Sequence, residues 1–200
     1  IAGIYSLTGK PIVDPERRIL KMLSLQLHRG PDQSGYKLSK DKKLVLGNAR
    51  LSIVDPNTVV KTPFYKEVNG NILSFNGEIY NYKNLRKELS ALGRSFETET
   101  DTEVLFEAIE YYKGDVFNKL EGMWGFAHYS SMSQTLLISR DLMGERHIFY
   151  AINDGELIFS SEVQSILAVI NSYEFDFSSS LSAWMYNVSP PKKTLVEQVK

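Results

Sequence analysis

Three parts of the sequence carry side chains that could bind and polarise a small polar molecule. Arg50, in the stretch NARLSIVD, offers a planar guanidinium that can hold a carboxylate in a bidentate pair. Glu78 in FNGEIYN and Asp101 in TETDTEV supply carboxylates that could pair with an ammonium group. Asn76 and Gly77 could donate hydrogen bonds from a side-chain amide and a backbone N–H to a developing oxyanion. Taken singly, each stretch also has an ordinary explanation as a turn or a strand end.

Composition narrows the classes of function. The chain holds 23 lysines and arginines against 24 acidic residues, and its formal net charge of -1 gives no footprint for nucleic acid or an anionic membrane. Cysteine is absent, which excludes disulfides, thiolate metal sites and a thiol nucleophile within these 200 residues. The three histidines fit no metal-ligand spacing, and neither a dinucleotide fingerprint nor a P-loop occurs. Because no apolar run approaches the roughly 18 residues that span a bilayer, we expect a cytoplasmic protein without a membrane partner.

Short segments rich in β-branched and aromatic residues recur along the chain and predict strands. These segments are IAGIYSL, KLVLGNARLSIV, NILSFNG, MWGFAHYS, TLLISRD, HIFYAI and ELIFSSE. The sequence NDG at 153–155 predicts a hairpin turn between the last two segments, because Asn, Asp and Gly tolerate positive φ.

Helical patterns lie between these strands. In PERRILKMLSLQL, Ile19 and Leu23 share one face at helical spacing, and in KNLRKELSALG the glycine Gly93 is a natural stop. The stretch TDTEVLFEAIEYY begins with Thr100 and has Glu103 three residues later, which is a capping-box pattern. Runs of strands interrupted by helices predict an α+β fold with antiparallel sheets covered by helices.

The end of the sequence differs in character from the rest. Pro190 and Pro191 in SPPKKTLVEQVK fix an extended backbone, and nothing after them is predicted to complete an element. We therefore expect a domain over residues 1–187 and a connector over residues 188–200 that leads to another domain.

Five polar clusters, taken together and in order, resemble those of the class II glutamine amidotransferases, whose nucleophile is the N-terminal residue. The clusters are HRGPDQSG, NARLSIVD, FNGEIYN, TETDTEV and SRDLMG. The motif FNGEIYNYKNLR narrows the resemblance to the glutaminase domain of the asparagine synthetase group. The segments LEGMWGFAHY and FSSEVQSIL extend the resemblance along the chain. The resemblance implies an N-terminal-nucleophile hydrolase-like sandwich, with two antiparallel sheets covered by helices on both outer faces.

Sequences of this family start Met-Cys-Gly-Ile-x-Gly, and loss of the methionine makes cysteine the first residue. The opening IAG fits the Ile-x-Gly of that start, so that Ile1 follows a missing Cys-Gly pair and Gly3 is the second glycine. In an alternative register Ala2 takes the place of the cysteine, as in a domain without the nucleophile. The first register matches two residues and is favoured.

The resemblance implies roles for the polar residues in amide hydrolysis. Asn76 and Gly77 would form the oxyanion hole, Arg50 would bind the α-carboxylate of glutamine, and Asp101 with Glu78 would bind its α-ammonium. Asp101 can also support the first turn of a helix, and the two roles are compatible. The residues expected to bind the substrate are Arg50, Leu51, Ile53, Val54, Asn76, Gly77, Glu78 and Asp101.

Other residues of the motifs are assigned to structure or depart from the family pattern. Arg29 and the Arg140-Asp141 pair are expected to hold loops and a domain interface. Asn48 stands where many relatives have histidine, and GERHIFY, with Arg146, replaces a more usual Gly-x-Lys-Pro-Leu-Tyr-Tyr. These departures put in question which molecule accepts the ammonia and how the ammonia is transferred, more than they question glutamine binding.

The resemblance also implies partners. Ammonia from glutamine would pass to a synthetase domain of the same protein, which activates a carboxylate acceptor, most simply aspartate, with ATP and Mg. The Ser-Gly-Gly-x-Asp-Ser loop of that domain does not occur in these 200 residues, so no cofactor or metal is expected here. A homodimer is left open. Two alternatives to an active glutaminase remain, an inactive scaffold and a sensor that binds glutamine without hydrolysing it. The residues that match the glutamine pocket argue against the scaffold, which would not need them, but not against the sensor.

Overall fold

The computed structural model of the protein describes residues 1–51, 61–187, 190–191 and 193–200. Within these ranges the strands are Ala2–Ser6 (β1), Gln33–Leu38 (β2), Leu44–Arg50 (β3), Phe64–Lys66 (β4), Asn71–Ile79 (β5), Gly122–Ser130 (β6), Thr135–Arg140 (β7), Phe149–Asn153 (β8) and Glu156–Ser160 (β9). The α-helices are Pro15–Ser24 (α1), Tyr82–Ala91 (α2), Asp101–Tyr112 (α3), Val163–Leu167 (α4) and Phe177–Tyr186 (α5). No helix in the described part of the chain is long and apolar enough to cross a bilayer.

The strands form two antiparallel sheets. One sheet has the strand order β2-β3-β1-β9-β8 and the other has the order β4-β5-β6-β7. Helices α1 and α4 pack on the first sheet, while α2 and α3 form a common core with the second. The result is a four-layer α+β sandwich with helices on both outer faces, which confirms the predicted fold class.

Alternation of side chains along the strands divides the core into one inner and two outer parts. In β3, Leu46 packs in the cluster between the sheets, whereas its neighbour Val45 packs under α1. In β5, Ile72 belongs to the cluster between the sheets, and Leu73 packs with α3 in the opposite outer part. Even-numbered side chains of β3 and β5 therefore face the space between the two sheets.

Local signals in the sequence locate several element ends. Pro15 is the first residue of α1, as expected for a residue that lacks an N–H and has a helical φ. The Thr100 side chain accepts a hydrogen bond from the Glu103 N–H, which is the N-cap half of the predicted capping box. Asp154 and Gly155 have φ of 50° and 73° in the turn between β8 and β9, which confirms the predicted hairpin.

Four elements of the described residues are not predicted by the sequence patterns: β2, β4, α4 and α5. Strand β2 has the sequence QSGYKL, in which no residue is β-branched and none is buried. It is held by pairing with β3 over six positions, from Gln33 opposite Arg50 to Leu38 opposite Val45. The two strands form a hairpin joined by residues 39–43, and this connection contains no glycine or asparagine, so neither the strand nor its turn carries the usual sequence signal.

The expectation that the segment after Pro191 joins no element of the domain needs correction. Val196 forms a β-bridge with Phe175, and both Val196 and Val199 are buried in the core beneath α1. Lys200 exchanges two backbone hydrogen bonds with Tyr150 of β8, at 2.8 and 2.9 Å. Residues 193–200 are thus packed on the domain, although the boundary at residue 187 stays a prediction.

Candidate functional site

A cavity of about 330 Å³ opens where the space between the two sheets meets the start of α3. Six of the eight residues predicted to bind the substrate line it: Arg50, Leu51, Asn76, Gly77, Glu78 and Asp101. The other two, Ile53 and Val54, lie outside the described residues. The fold therefore brings together residues that are up to 51 positions apart in the sequence.

Strand β3 supplies one wall of the cavity. Arg50 is its last residue, and Asn48, two positions earlier, lies on the same face because side chains alternate along a strand. The Asn48 amide donates from Nδ2 to the carbonyl oxygen of Phe75 at 3.0 Å, which ties the end of β3 to the other sheet. Its Oδ1 atom is buried and accepts no hydrogen bond within the described residues. Asn48, which the sequence identifies only as a departure, is thus part of the cavity wall.

Strand β5 supplies the facing wall through Asn76, Gly77 and Glu78. A Cβ atom on Gly77 would lie 2.1 Å from the carbonyl oxygen of Met123 and 2.8 Å from Cα of Trp124. Both of these are backbone atoms of β6, and backbone cannot rotate away as a side chain could. Glycine at this position is therefore required for β5 and β6 to approach closely beside the cavity.

Asp101 is the first residue of α3 and is only 6% exposed. Its Oδ2 atom accepts a hydrogen bond from the backbone N–H of Ile79 at 3.2 Å, so the end of β5 fixes the carboxyl group. Burial raises the pKa of Asp101, and the negative charge of Glu78 raises it further, while backbone hydrogen bonds and Arg50 act in the opposite direction. The buried carboxylate is costly unless a cation occupies the cavity beside it.

The turn before α3 is organised by a second buried carboxylate. Glu103, fully buried, accepts hydrogen bonds from the backbone N–H of Glu97 at 2.9 Å and of Thr98 at 2.6 Å. Its side chain therefore does not reach back to Thr100, as the second half of a capping box would. Instead it fixes the loop that leads into Asp101, and so it positions that residue indirectly.

A loop after β7 brings Arg146 to the cavity. Asp141, at the start of this loop, is buried and accepts hydrogen bonds from the backbone N–H groups of Glu145 at 2.9 Å and Arg146 at 3.0 Å. Burial would raise the pKa of Asp141, but these hydrogen bonds outweigh it and the pKa is lowered. Asp141 thus holds the loop, as predicted, and the loop places Arg146 in the cavity wall.

Arg29 is a further cavity residue to which the sequence assigns a structural role. Its Nη1 atom donates to Oε1 of Glu162 at 2.6 Å, which links the loop before β2 to the start of α4. Arg29 nevertheless lines the same cavity as Arg50. The sequence gives little indication that Arg29 belongs to the site, because an arginine beside a Gly-Pro turn commonly has a structural role.

The cavity combines groups of opposite charge with neutral hydrogen-bond donors. Positive charge comes from Arg29, Arg50, Lys61 and Arg146, and negative charge comes from Glu78 and Asp101. Such a cavity suits a small molecule that carries both a carboxylate and an ammonium. Within the described residues, no group of three or more His, Asp or Glu side chains could hold a metal ion.

Known proteins match this chain over most of its length. The model of a family described as "Glutamine amidotransferase domain" matches residues 1–200. Asparagine synthetase [glutamine-hydrolyzing] 1 of Bacillus subtilis is 35% identical over 187 residues, which cover 94% of this chain and 29% of that protein. Asparagine synthetase B [glutamine-hydrolyzing] of Escherichia coli is 32% identical over 185 residues, 92% of this chain and 32% of that protein. The chain thus spans about a third of the length of these relatives or less.

A solved structure shares the fold at low sequence identity. The structure is that of glutamine phosphoribosylpyrophosphate amidotransferase from B. subtilis complexed with ADP and GMP. It matches with a TM-score of 0.68 at 18% identity, over 84% of this chain and 43% of that chain. This likeness concerns the fold alone. The family model and the sequence matches show that the chain belongs to the glutamine amidotransferase domain family, with the glutamine-hydrolysing asparagine synthetases among its relatives.

Proposed function

We propose that this domain binds glutamine and, in the full-length protein, hydrolyses its side-chain amide to glutamate and ammonia. The observation that carries the proposal is the convergence of Arg50, the Asn76-Gly77 pair and Asp101 on one cavity. These groups match the three parts of glutamine that a glutaminase must hold: the α-carboxylate, the amide carbonyl and the α-ammonium.

Each end of glutamine has a chemically matched partner. The guanidinium of Arg50 forms a bidentate pair with the α-carboxylate. The α-ammonium lies beside Asp101 and Glu78, where its charge lowers the cost of burying the Asp101 carboxylate. Asn76 and the N–H of Gly77 donate to the oxygen of the side-chain amide as it becomes negative.

The strand register supports a cysteine two residues ahead of Ile1. Since Ala2 lies opposite Gly47 in β3, continuing β1 backwards by the same register places that cysteine opposite Arg50. It would also lie on the same face of β1 as Ile1 and Gly3, because side chains alternate. That face looks into the space between the sheets, where a Cβ on Gly3 would meet Phe159 and Leu46.

The alternative register, with Ala2 in the place of the cysteine, is less compatible with this geometry. Ala2 is fully buried and packs in the cluster beneath α1 with Ile19 and Met22. Its side chain therefore lies on the face of β1 that is turned away from the space between the sheets. A cysteine there would not reach a glutamine held by Arg50 and Asp101.

The proposed reaction has two steps. The cysteine sulfur attacks the amide carbon of glutamine to form a thioester, and the C–N bond breaks to release ammonia, which carries away the thiol proton. Water then hydrolyses the thioester to glutamate and regenerates the thiol. The α-amino group of the same cysteine, with an ordinary pKa of about 7.7–8.0, is suited to move the proton near neutral pH. The acceptor of the ammonia lies in the part of the protein beyond this chain.

We further propose that ammonia passes to a synthetase domain that uses ATP and Mg, with aspartate as the acceptor. The names of the relatives, which are glutamine-hydrolysing asparagine synthetases, support this choice. Their length supports it as well, because this chain corresponds to only 29% and 32% of the two proteins. This domain alone would then need no cofactor.

Glutamine binding can be measured by calorimetry on the chain itself. Arg50→Ala should weaken binding by about 2–3 kcal/mol, or roughly 30–150-fold, because a charged bidentate hydrogen bond is lost. Arg17→Ala is the matched control, since Arg17 is exposed on α1 and lines a different cavity. Unchanged affinity of Arg50→Ala would show that glutamine does not occupy the proposed cavity.

Hydrolysis requires the full-length protein with its own N-terminus. Release of ammonia and glutamate from glutamine, abolished when the N-terminal cysteine is replaced by serine, is the expected result. Glutamine binding without ammonia release would favour the sensor alternative, and loss of both would favour the scaffold. Intact-mass measurement of the same sample establishes whether the cysteine is its first residue.

A further inference from the structure

Helix α5 has its apolar and polar faces reversed relative to an ordinary surface helix. Phe177, Leu181, Trp184 and Met185 follow the spacing i, i+4, i+7, i+8, which places them on one stripe of the helix. We call these four residues the α5 stripe. The stripe faces outward, with Phe177 79% and Trp184 84% exposed, whereas the buried residue of this helix is Ser179. A normal amphipathic helix would bury such a stripe and expose its serines.

The start of the helix is anchored by its N-cap and by the segment 193–200. The Asp176 side chain caps it by accepting the backbone N–H of Ser179 at 2.9 Å. Asp176 also pairs with Lys193 at 2.9 Å, and its own N–H donates to the carbonyl oxygen of Leu195 at 3.0 Å. The first turn of α5 is thus held by both its cap and the segment 193–200.

The α5 stripe has the size and composition of an interaction surface. Since a fully exposed aromatic side chain offers about 200 Å², Phe177 and Trp184 alone present on the order of 300 Å². Leu181 and Met185, at 43% and 56% exposure, extend this area. The largest apolar patches of ordinary monomers measure about 300–600 Å² and commonly have a function. The helix sequence FSSSLSAWMY contains no charged residue, as expected at the centre of an interface.

The position of the chain end indicates what covers the α5 stripe. The segment 193–200 runs beside the start of α5 and ends paired with Tyr150 of β8, the edge strand of its sheet. About two thirds of the length of the relatives lies outside the part that matches this chain. Residues that follow Lys200 in the full-length protein therefore continue from a segment that is paired with Glu174, Phe175 and Asp176, the residues immediately before this helix.

We propose that the α5 stripe is the docking surface for the domain that follows residue 200 in the same protein. This inference rests on the proposed continuation of the protein into a second domain, but not on the glutaminase reaction. The second domain buries the α5 stripe, with Trp184 at the centre of the contact. Its position holds the two domains together on the side of the sandwich where the chain leaves.

The test replaces Trp184 by the photoreactive residue p-benzoylphenylalanine in the full-length protein. After irradiation, mass spectrometry should find crosslinks between α5 and peptides that follow residue 200 of the same molecule. A mixture of isotope-labelled and unlabelled protein distinguishes crosslinks within one molecule from those between two copies. The control places the same residue at Met132, which is 94% exposed in the turn between β6 and β7. It should give several-fold fewer crosslinks to the later peptides.

A second measurement uses natural residues. Trp184→Ser should raise the rate of limited proteolysis after residue 200 several-fold, because the docked domain separates, while Met132→Ser should leave it unchanged. The proposal is overturned if the photoreactive residue at position 184 crosslinks to a second copy or to added lipid vesicles. It is also overturned if position 184 gives no more crosslinks to the later peptides than position 132 does. An unchanged proteolysis rate of Trp184→Ser would overturn it too. Neither measurement needs turnover of glutamine, so an inactive protein would refute the proposed function and leave this result intact.

Discussion

Replacing Gly77 by alanine tests both the structure and the proposed chemistry at one point. The added Cβ would lie 2.1 Å from the carbonyl oxygen of Met123 and 2.8 Å from Cα of Trp124. The paired strands β5 and β6 run on both sides of this contact, from Ile72 to Ile79. The strands can relieve the clash only by moving apart, which weakens the hydrogen bonds between them.

The expected magnitude follows from this geometry. Overpacking by one methyl group costs about 1–3 kcal/mol, and a clash with backbone belongs to the upper part of that range. For a domain of this size, each kcal/mol shifts Tm by about 2–4 °C, so a cost of about 2–3 kcal/mol in Gly77→Ala should lower Tm by roughly 4–12 °C. Displacement of the Gly77 N–H should also cost about 100–1,000-fold in kcat for glutamine hydrolysis, as loss of one oxyanion donor does.

Thermal unfolding of the chain and ammonia release by the full-length protein are the two assays. Gly114→Ala is the matched control, because a Cβ there would meet no atom within 4 Å. An unchanged Tm for Gly77→Ala would refute the close contact between β5 and β6. A lowered Tm with unchanged ammonia release would instead refute the role of Gly77 as an oxyanion donor.

Two further substitutions separate stability from binding. Asp101→Asn should weaken glutamine binding in calorimetry but raise stability at neutral pH, because burial raises the pKa of Asp101 and makes its ionised form costly. The gain should disappear below about pH 3.9, where an unfolded aspartate is also protonated, and a gain that persists there would contradict this explanation. Glu103→Ala should lower stability in urea unfolding by roughly 2–4 kcal/mol, since it leaves the N–H groups of Glu97 and Thr98 without their acceptor. A loss equal to that of an exposed control, Glu99→Ala, would show that the loop does not depend on Glu103.

The sequence predicts the local parts of the fold because their causes are local. Pro15 begins a helix, Thr100 caps one, and the Asp154-Gly155 turn closes a hairpin through backbone preferences that a few residues express on their own. Segments with regular alternation or helical spacing were placed correctly for the same reason. The resemblance to class II amidotransferases then supplied the arrangement of the sheets, which the short segments do not specify.

Elements that are held mainly by their partners are not visible in their own residues. Strand β2 is held by its hairpin ladder with β3, and Tyr36 is its one residue of a strand-favouring type. The segment 193–200 packs through Val196 and Val199 into a core built mainly by residues 2–170. Two prolines and a short polar run suggested a connector, because burial of the two valines is invisible without the rest of the core.

Some residues of the candidate site can be recognised from the sequence, and others cannot. Arg50, Asn76, Gly77 and Asp101 lie in motifs that are recognisable in sequence, and the structure places all four around one cavity. Arg29 and Asn48 line the cavity as well, but their neighbours in sequence give each of them an adequate structural role. What makes them part of the site is the packing of one sheet against the other.

The same alternation that builds the inner core also forms the cavity. Along β3, Leu44 and Leu46 fill the space between the sheets, and the next two residues on that face are Asn48 and Arg50. The inward face therefore changes from apolar to polar within one strand, as the space between the sheets opens into the cavity. A shift of register by one residue would turn Arg50 away from the cavity and put a larger side chain in the place of Gly47, where even a Cβ would lie 2.9 Å from Ile19 of α1. The hydrophobic core thus fixes the register of β3, and through it the position of the arginine proposed to bind glutamine.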